Sequence, residues 1–172
     1  MNMRFSLAGL APLLAACASH APYSGEQERA IKSLTDAQVE QYLTGAGAGY
    51  AKAAELNHYP GPMHLLELAD RLGLDDAQRS EAQRMLTAHK ADARAIGAKV
   101  VQGERELDAL FRRGDVGAAE LERAVAAAAK VEGEYRLSHL ETHRRLRALL
   151  TSQQVARYDE LRGYGSGRGH SH

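Results

Sequence analysis

The sequence is short of most residues that lock a fold or carry chemistry. It has 1 cysteine, no tryptophan, 2 phenylalanines and 4 prolines among 172 residues. One cysteine excludes an internal disulfide, and with it any Cys-pair metal or redox motif. There is no nucleophile elbow and no phosphate-cradling glycine loop, so the chain does not read as an enzyme. Lysine and arginine balance aspartate and glutamate at 22 each, so no global charge points to nucleic acid. With so little aromatic bulk, much of the 44% hydrophobic content is alanine. Such a chain packs helices closely but buries little area per residue, which favours a thin helical body and a partner chain.

What is present is helical spacing bracketed by start signals. Leu74-Asp75-Asp76-Ala77-Gln78 and Leu150-Thr151-Ser152-Gln153-Gln154 read as capping boxes. The Asp75 or Thr151 oxygen takes a free N–H of the first turn, and the glutamine reaches back to the cap. A third box stands at Thr35 to Gln38. Leu34 with Val39, and Leu150 with Val155, complete hydrophobic staples, whereas Arg79 denies one to the Asp75 box.

Between the Asp75 and Thr151 boxes lies a helical hairpin, 75–150. From Asp76 to about Arg112 a seam runs through Ala82, Leu86, His89, Ala93, Ile96, Val100, Gly103, Leu107 and Leu110. This spacing predicts a helix about 55 Å long that packs on another. Gly114 ends it and Asp115 is placed to cap the return helix. The return, about Ala118 to Leu150, carries Leu121, Val125, Ala128, Tyr135, His139, Thr142, Leu146 and Leu149 on one face. A second row, Ala126, Ala129, Gly133, Leu137 and Leu140, calls for a second neighbour, either another subunit or a bound ligand. A short helix over 152–162 follows, then a Gly- and His-rich flexible tail over 163–172. Upstream, a helix is expected from Thr35 towards Asn57, kinked at the Gly-Ala repeat over 45–49, whose smooth strip suits a close backbone approach. A Pro-Gly-Pro turn at Pro60-Gly61-Pro62 leads into a short helix, Met63 to Leu72, ended by Gly73.

The first 16 residues combine Arg4 with an apolar run too short to span a bilayer, the pattern of an export signal. Leu14-Ala15-Ala16-Cys17 resembles the bacterial lipobox, which implies lipidation of Cys17, a tether over 17–33 and, with Ala18 following, sorting to the outer membrane. Ordinary cleavage at the A-x-A pattern Ala16-Cys17-Ala18 is the alternative. The all-helical domain then spans 34–162.

With these motifs in place, the stretch from about Leu72 to Arg162 resembles the Spy/CpxP family of bacterial periplasmic proteins, marked by paired L-T-x-x-Q motifs around a long hairpin. Leu150, Thr151 and Gln154 match the second motif. Leu74 and Gln78 match the first, where Asp75 replaces threonine and keeps the capping role. The resemblance implies an all-α, homodimeric cradle and an ATP-independent chaperone of unfolded envelope proteins. The family's metal-resistance members imply a second possibility, a sensor or buffer of zinc, nickel, cobalt or copper that can act on a regulatory membrane protein. The chaperone requires no cofactor. The segment over 35–62 has no counterpart in the chaperone members.

Metal ligands are available among the 8 histidines. His139 and His143 lie one turn apart on the return helix, the spacing of an imidazole pair on one ion. His64 and Glu67 are three apart on the short helix and could complete a His-His-His-Glu set, with His58 or His89 in reserve. His89, at a seam position, is read more simply as a packed residue bonded to a backbone carbonyl. His139-Leu140-Glu141-Thr142-His143 is not a zinc-protease motif, because that motif needs glutamate directly after the first histidine. His170 and His172 make at most a weak chelator.

Overall fold

A computed structural model describes residues 21–164. The export signal, Cys17 and the tail beyond Tyr164 lie outside the described residues. Among those described the chain is all helical: α1 Asp36–Thr44, α2 Lys52–Glu55, α3 Pro62–Glu67, α4 Asp76–Arg113, α5 Ala118–Leu149 and α6 Ser152–Arg162. No helix among them is long and apolar enough to cross a membrane.

All three capping boxes form. At Asp75 the carboxylate accepts from the Gln78 N–H at 2.8 Å, and Gln78 Oε1 accepts from the Asp75 N–H at 3.1 Å. Thr151 with Gln154, and Thr35 with Gln38, repeat the exchange. The glutamines of the two L-T-x-x-Q-like motifs do more than cap. Gln78 Nε2 donates to Gln154 Oε1 at 2.9 Å, and Gln154 Nε2 donates back to Gln78 Oε1 at 3.0 Å. This reciprocal amide pair ties the first turn of α4 to that of α6 and closes the base of the hairpin. Both leucines before the boxes, Leu74 and Leu150, are buried beneath it.

α4 and α5 run antiparallel from this base to a turn at Gly114, whose φ of 81° suits glycine. Asp115 does not cap α5. Its carboxylate pairs with Arg113 Nε at 3.1 Å, Arg113 also grips Glu120, and the cap position falls to Gly117. The seam holds in outline: Ala82, Ala93 and Val100 are buried and the rest half-buried. On α5 only Val125 departs, at 50% exposure, and the second row is open to solvent except for half-buried Leu140, with Leu137 at 63%.

The upstream segment supplies a third layer. α1 stops at Thr44 rather than kinking, because Gly45 adopts φ 72° and the chain leaves the helix. The turns over 45–51 contain a left-handed Ala48 and Gly49, and helix resumes only for the single turn α2. The expected close approach of the Gly-Ala run exists at Gly45, where a Cβ would stand 3.2 Å from the Arg94 backbone nitrogen of α4, and a second, tighter approach is made at Gly97 of α4. A Cβ there would sit 2.0 Å from the Tyr42 carbonyl oxygen, so α1 can cross α4 only over glycine. α3 is shorter than expected and gives way to turns, yet Ala69 and Leu72 stay buried. Two apolar clusters result. A basal one gathers Leu65, Leu74, Met85, Leu146, Val155 and Tyr158, and a middle one gathers Ile31, Leu34, Tyr42, Val100, Val101 and Tyr135. Along α4 and α5, His89, His139 and His143 fall between them.

Candidate functional site: a histidine-lined cavity under a strap

Residues 45–61, the strap, fold back over the hairpin where the two apolar clusters part. Five side-chain bonds tie the strap to α5 and α6. Tyr135 Oη donates to the Ala46 carbonyl at 2.5 Å, and Tyr50 Oη donates to Glu132 at 2.5 Å. His143 Nδ1 bonds the Tyr59 carbonyl at 2.8 Å, and Tyr158 Oη donates to Glu55 Oε1 at 2.5 Å. Finally, His58, left-handed at φ 69°, sets its Nδ1 2.6 Å from Asp159 Oδ2 on α6. Polar bonds replace apolar packing here because the Gly-Ala run has almost no side chain to bury.

Beneath the strap is a cavity of about 450 Å³ whose lining includes His64, His89, His139, His143 and Glu55. His139 and His143 are buried, as the one-turn spacing on the inner face of α5 requires. His89 is not bonded to a carbonyl as expected. Its Nε2 lies 3.0 Å from His139 Nδ1, and its Nδ1 lies 3.3 Å from Ser138 Oγ. Burial, followed by the neighbouring His89 and His143, pushes the His139 pKa down to about 4. Burial and His143 lower His89 as well, against a smaller opposing pull from Asp92. His139 and His89 are therefore neutral at pH 7, the form that can donate a lone pair.

Proton positions follow from the partners. A carbonyl only accepts, so His143 carries a proton on Nδ1, and Nε2 is the ring nitrogen left to offer a lone pair. His139 Nε2 is buried and has no hydrogen-bond partner among the described residues. An orphaned N–H is the rarer fault in proteins, which favours His139 donating from Nδ1 to His89 and also keeping Nε2 bare. Tyr158, buried and bonded to Glu55, is held protonated well above the usual phenol range.

The other expected residues divide. His64 lines the cavity, but its Nδ1 lies 3.0 Å from Glu67 Oε2, and Glu67 itself stays on the surface outside the cavity. Glu55, which sequence spacing did not single out, is the carboxylate beside the histidines, its Oε2 3.7 Å from His143 Nδ1. His58 faces Asp159 and does not line the cavity. Among the described residues, no three His, Cys, Asp or Glu side chains already converge as a cage for an ion.

Across the hairpin is an open trough of about 640 Å³, floored by Met85, Ile96 and Leu137 and rimmed by charges that include Arg84, Lys99, Glu134 and Arg145. His89 reaches both the trough and the cavity. No family model, no curated protein and no solved structure matches the chain.

Proposed function

We propose that this chain is an exported envelope-stress protein that shields apolar stretches of unfolded envelope proteins without nucleotide, as an ATP-independent chaperone of the Spy/CpxP type. The observation that carries the reading is the trough: Leu137 at 63% exposure beside half-buried Ile96 and the edge of buried Met85, within a rim of both charge signs. Isolated apolar contacts of this kind are weak, and a mixed rim prefers no single sequence, so a client is held and then released. The reading includes a homodimeric cradle, a periplasmic location and a lipid anchor at Cys17. It needs no catalytic step.

The test is aggregation of a denatured model client at stoichiometric amounts of the full chain. Suppression is expected, and Leu137→Glu is expected to lose most of it while keeping the helical circular dichroism. Suppression unchanged by Leu137→Glu would remove the trough from the account. Sedimentation of the same variant separates client binding from dimerisation, since an interface residue would shift the mass and a client residue would not.

A second reading, a sensor or buffer of a divalent transition metal, is favoured by the buried His139 Nε2, unpartnered among the described residues, one turn from His143. The two readings are compatible, because an ion bound under the strap would bias the shape of the same hairpin.

A further inference from the structure

We propose that the strap cavity is a transition-metal site whose protein ligands are His139 Nε2, His143 Nε2 and Glu55 Oε2, with the fourth position open towards His64. This rests on the metal reading and replaces the His64–Glu67 pair, the more obvious partner in sequence, with a carboxylate of the strap.

Each of the three groups has its other polar atom already engaged. His139 Nδ1 is 3.0 Å from His89 Nε2, and His143 Nδ1 is 2.8 Å from the Tyr59 carbonyl. Glu55 Oε1 accepts from Tyr158 Oη at 2.5 Å. Metal-binding histidines and carboxylates are oriented by just such outer bonds, which fix the tautomer and leave one lone pair facing the ion. The atoms left without a hydrogen bond are two imidazole Nε2 and one carboxylate oxygen, Glu55 Oε2, which lies 3.7 Å from His143 Nδ1, beyond hydrogen-bond distance. His139, 3% exposed, has no other use for its Nε2 among the described residues.

Gly61 supplies the room. A Cβ there would stand 3.0 Å from His143 Cε1, 3.2 Å from Glu55 Oε2 and 3.4 Å from His143 Nε2, so the missing side chain opens the space between this imidazole and the carboxylate. Its backbone is extended rather than left-handed, with φ −85°, so conformation alone does not call for glycine. Two imidazoles and a carboxylate suit zinc, nickel, cobalt or copper(II) and are a poor match for magnesium or calcium, which take oxygen. The donors do not converge as the side chains stand. Loading the site therefore draws the strap, through Glu55, towards α5.

The experiment is titration of the full chain with zinc(II) against a competing chromophoric chelator, magnesium serving as the control. His170→Gln/His172→Gln is the background, which removes chelation by the tail. One zinc per chain is expected. His139→Gln/His143→Gln abolishes binding, and Glu55→Gln weakens it at least as much as Tyr158→Phe, which removes only an outer bond and costs about 10- to 100-fold. Hydrogen exchange over 45–61 slows on adding zinc. Circular dichroism checks folding. Should the double histidine variant unfold, Glu55→Gln and Tyr158→Phe decide. Zinc bound with undiminished affinity by Glu55→Gln but lost on His64→Gln/Glu67→Gln would overturn this ligand set and leave the metal reading standing. No binding beyond magnesium would overturn both.

Discussion

Towards the turn at Gly114, α4 and α5 have only each other among the described residues. Phe111 is 61% exposed and Val125 50%, and Leu107, Leu110 and Leu121 are only half-covered. Towards the base the same two helices lie under α1, the strap, α3 and α6, and Tyr135, Leu146 and Tyr158 are sealed from solvent. The helix-forming pattern is the same at both ends, so periodicity does not decide what is buried. The third layer does. A hairpin rich in alanine has too little apolar area to cover itself, and cover comes from the segments before Asp76 and after Leu149. The base is thus the rigid part that holds the histidine cavity, and the tip is left free to adapt.

Two glycines break this comparison most sharply. Gly97→Ala puts a methyl 2.0 Å from the Tyr42 carbonyl oxygen and forces α1 off α4. A loss of about 3 kcal/mol is expected from such overpacking, measured by urea unfolding. Gly133→Ala, on the uncovered face of α5 with nothing within 4 Å, is expected instead to stabilise by about 0.5–1 kcal/mol through helix propensity. Equal effects would mean that α1 does not lie on α4.

A smaller effect, also confined to the covered region, is expected from pH. The His139 pKa falls from 6.5 in the unfolded chain to about 4 in the fold, so between these values the unfolded chain binds a proton that the folded one refuses. Stability is then full above about pH 6.5, declines as the pH drops towards 4, and levels off below it. Thermal midpoints at pH 7 and pH 5 check this, and His139→Gln should flatten the difference. A midpoint that rose on acidification would contradict a buried neutral imidazole.

Much of the base was legible in the sequence, and the reasons are local. Capping boxes at Thr35, Asp75 and Thr151 need only residues three apart, and the seam needs only a period, so helix starts and inner faces could be read directly. Whatever depended on a distant partner could not. Gly97 looks like a weak spot in a helix until Tyr42 is placed across it. Asp115 looks like a cap until Arg113 takes it. Gln78 and Gln154 read as two separate caps until the hairpin folds them into one amide pair. The histidine pair on α5 was visible because both members share one helix. Its carboxylate was not: Glu67 sits at ligand spacing from His64, whereas Glu55 reaches His143 only because Gly45 and Gly49 turn the strap back.

Hydrogen exchange along the two long helices tests the layered hairpin most directly, since protection reports the local free energy of opening. The account predicts slow exchange at residues 82–101 of α4 and 135–149 of α5, and exchange faster by orders of magnitude at residues 104–125 around the turn. Uniform protection through the turn, or a base no better protected than the tip, would contradict it.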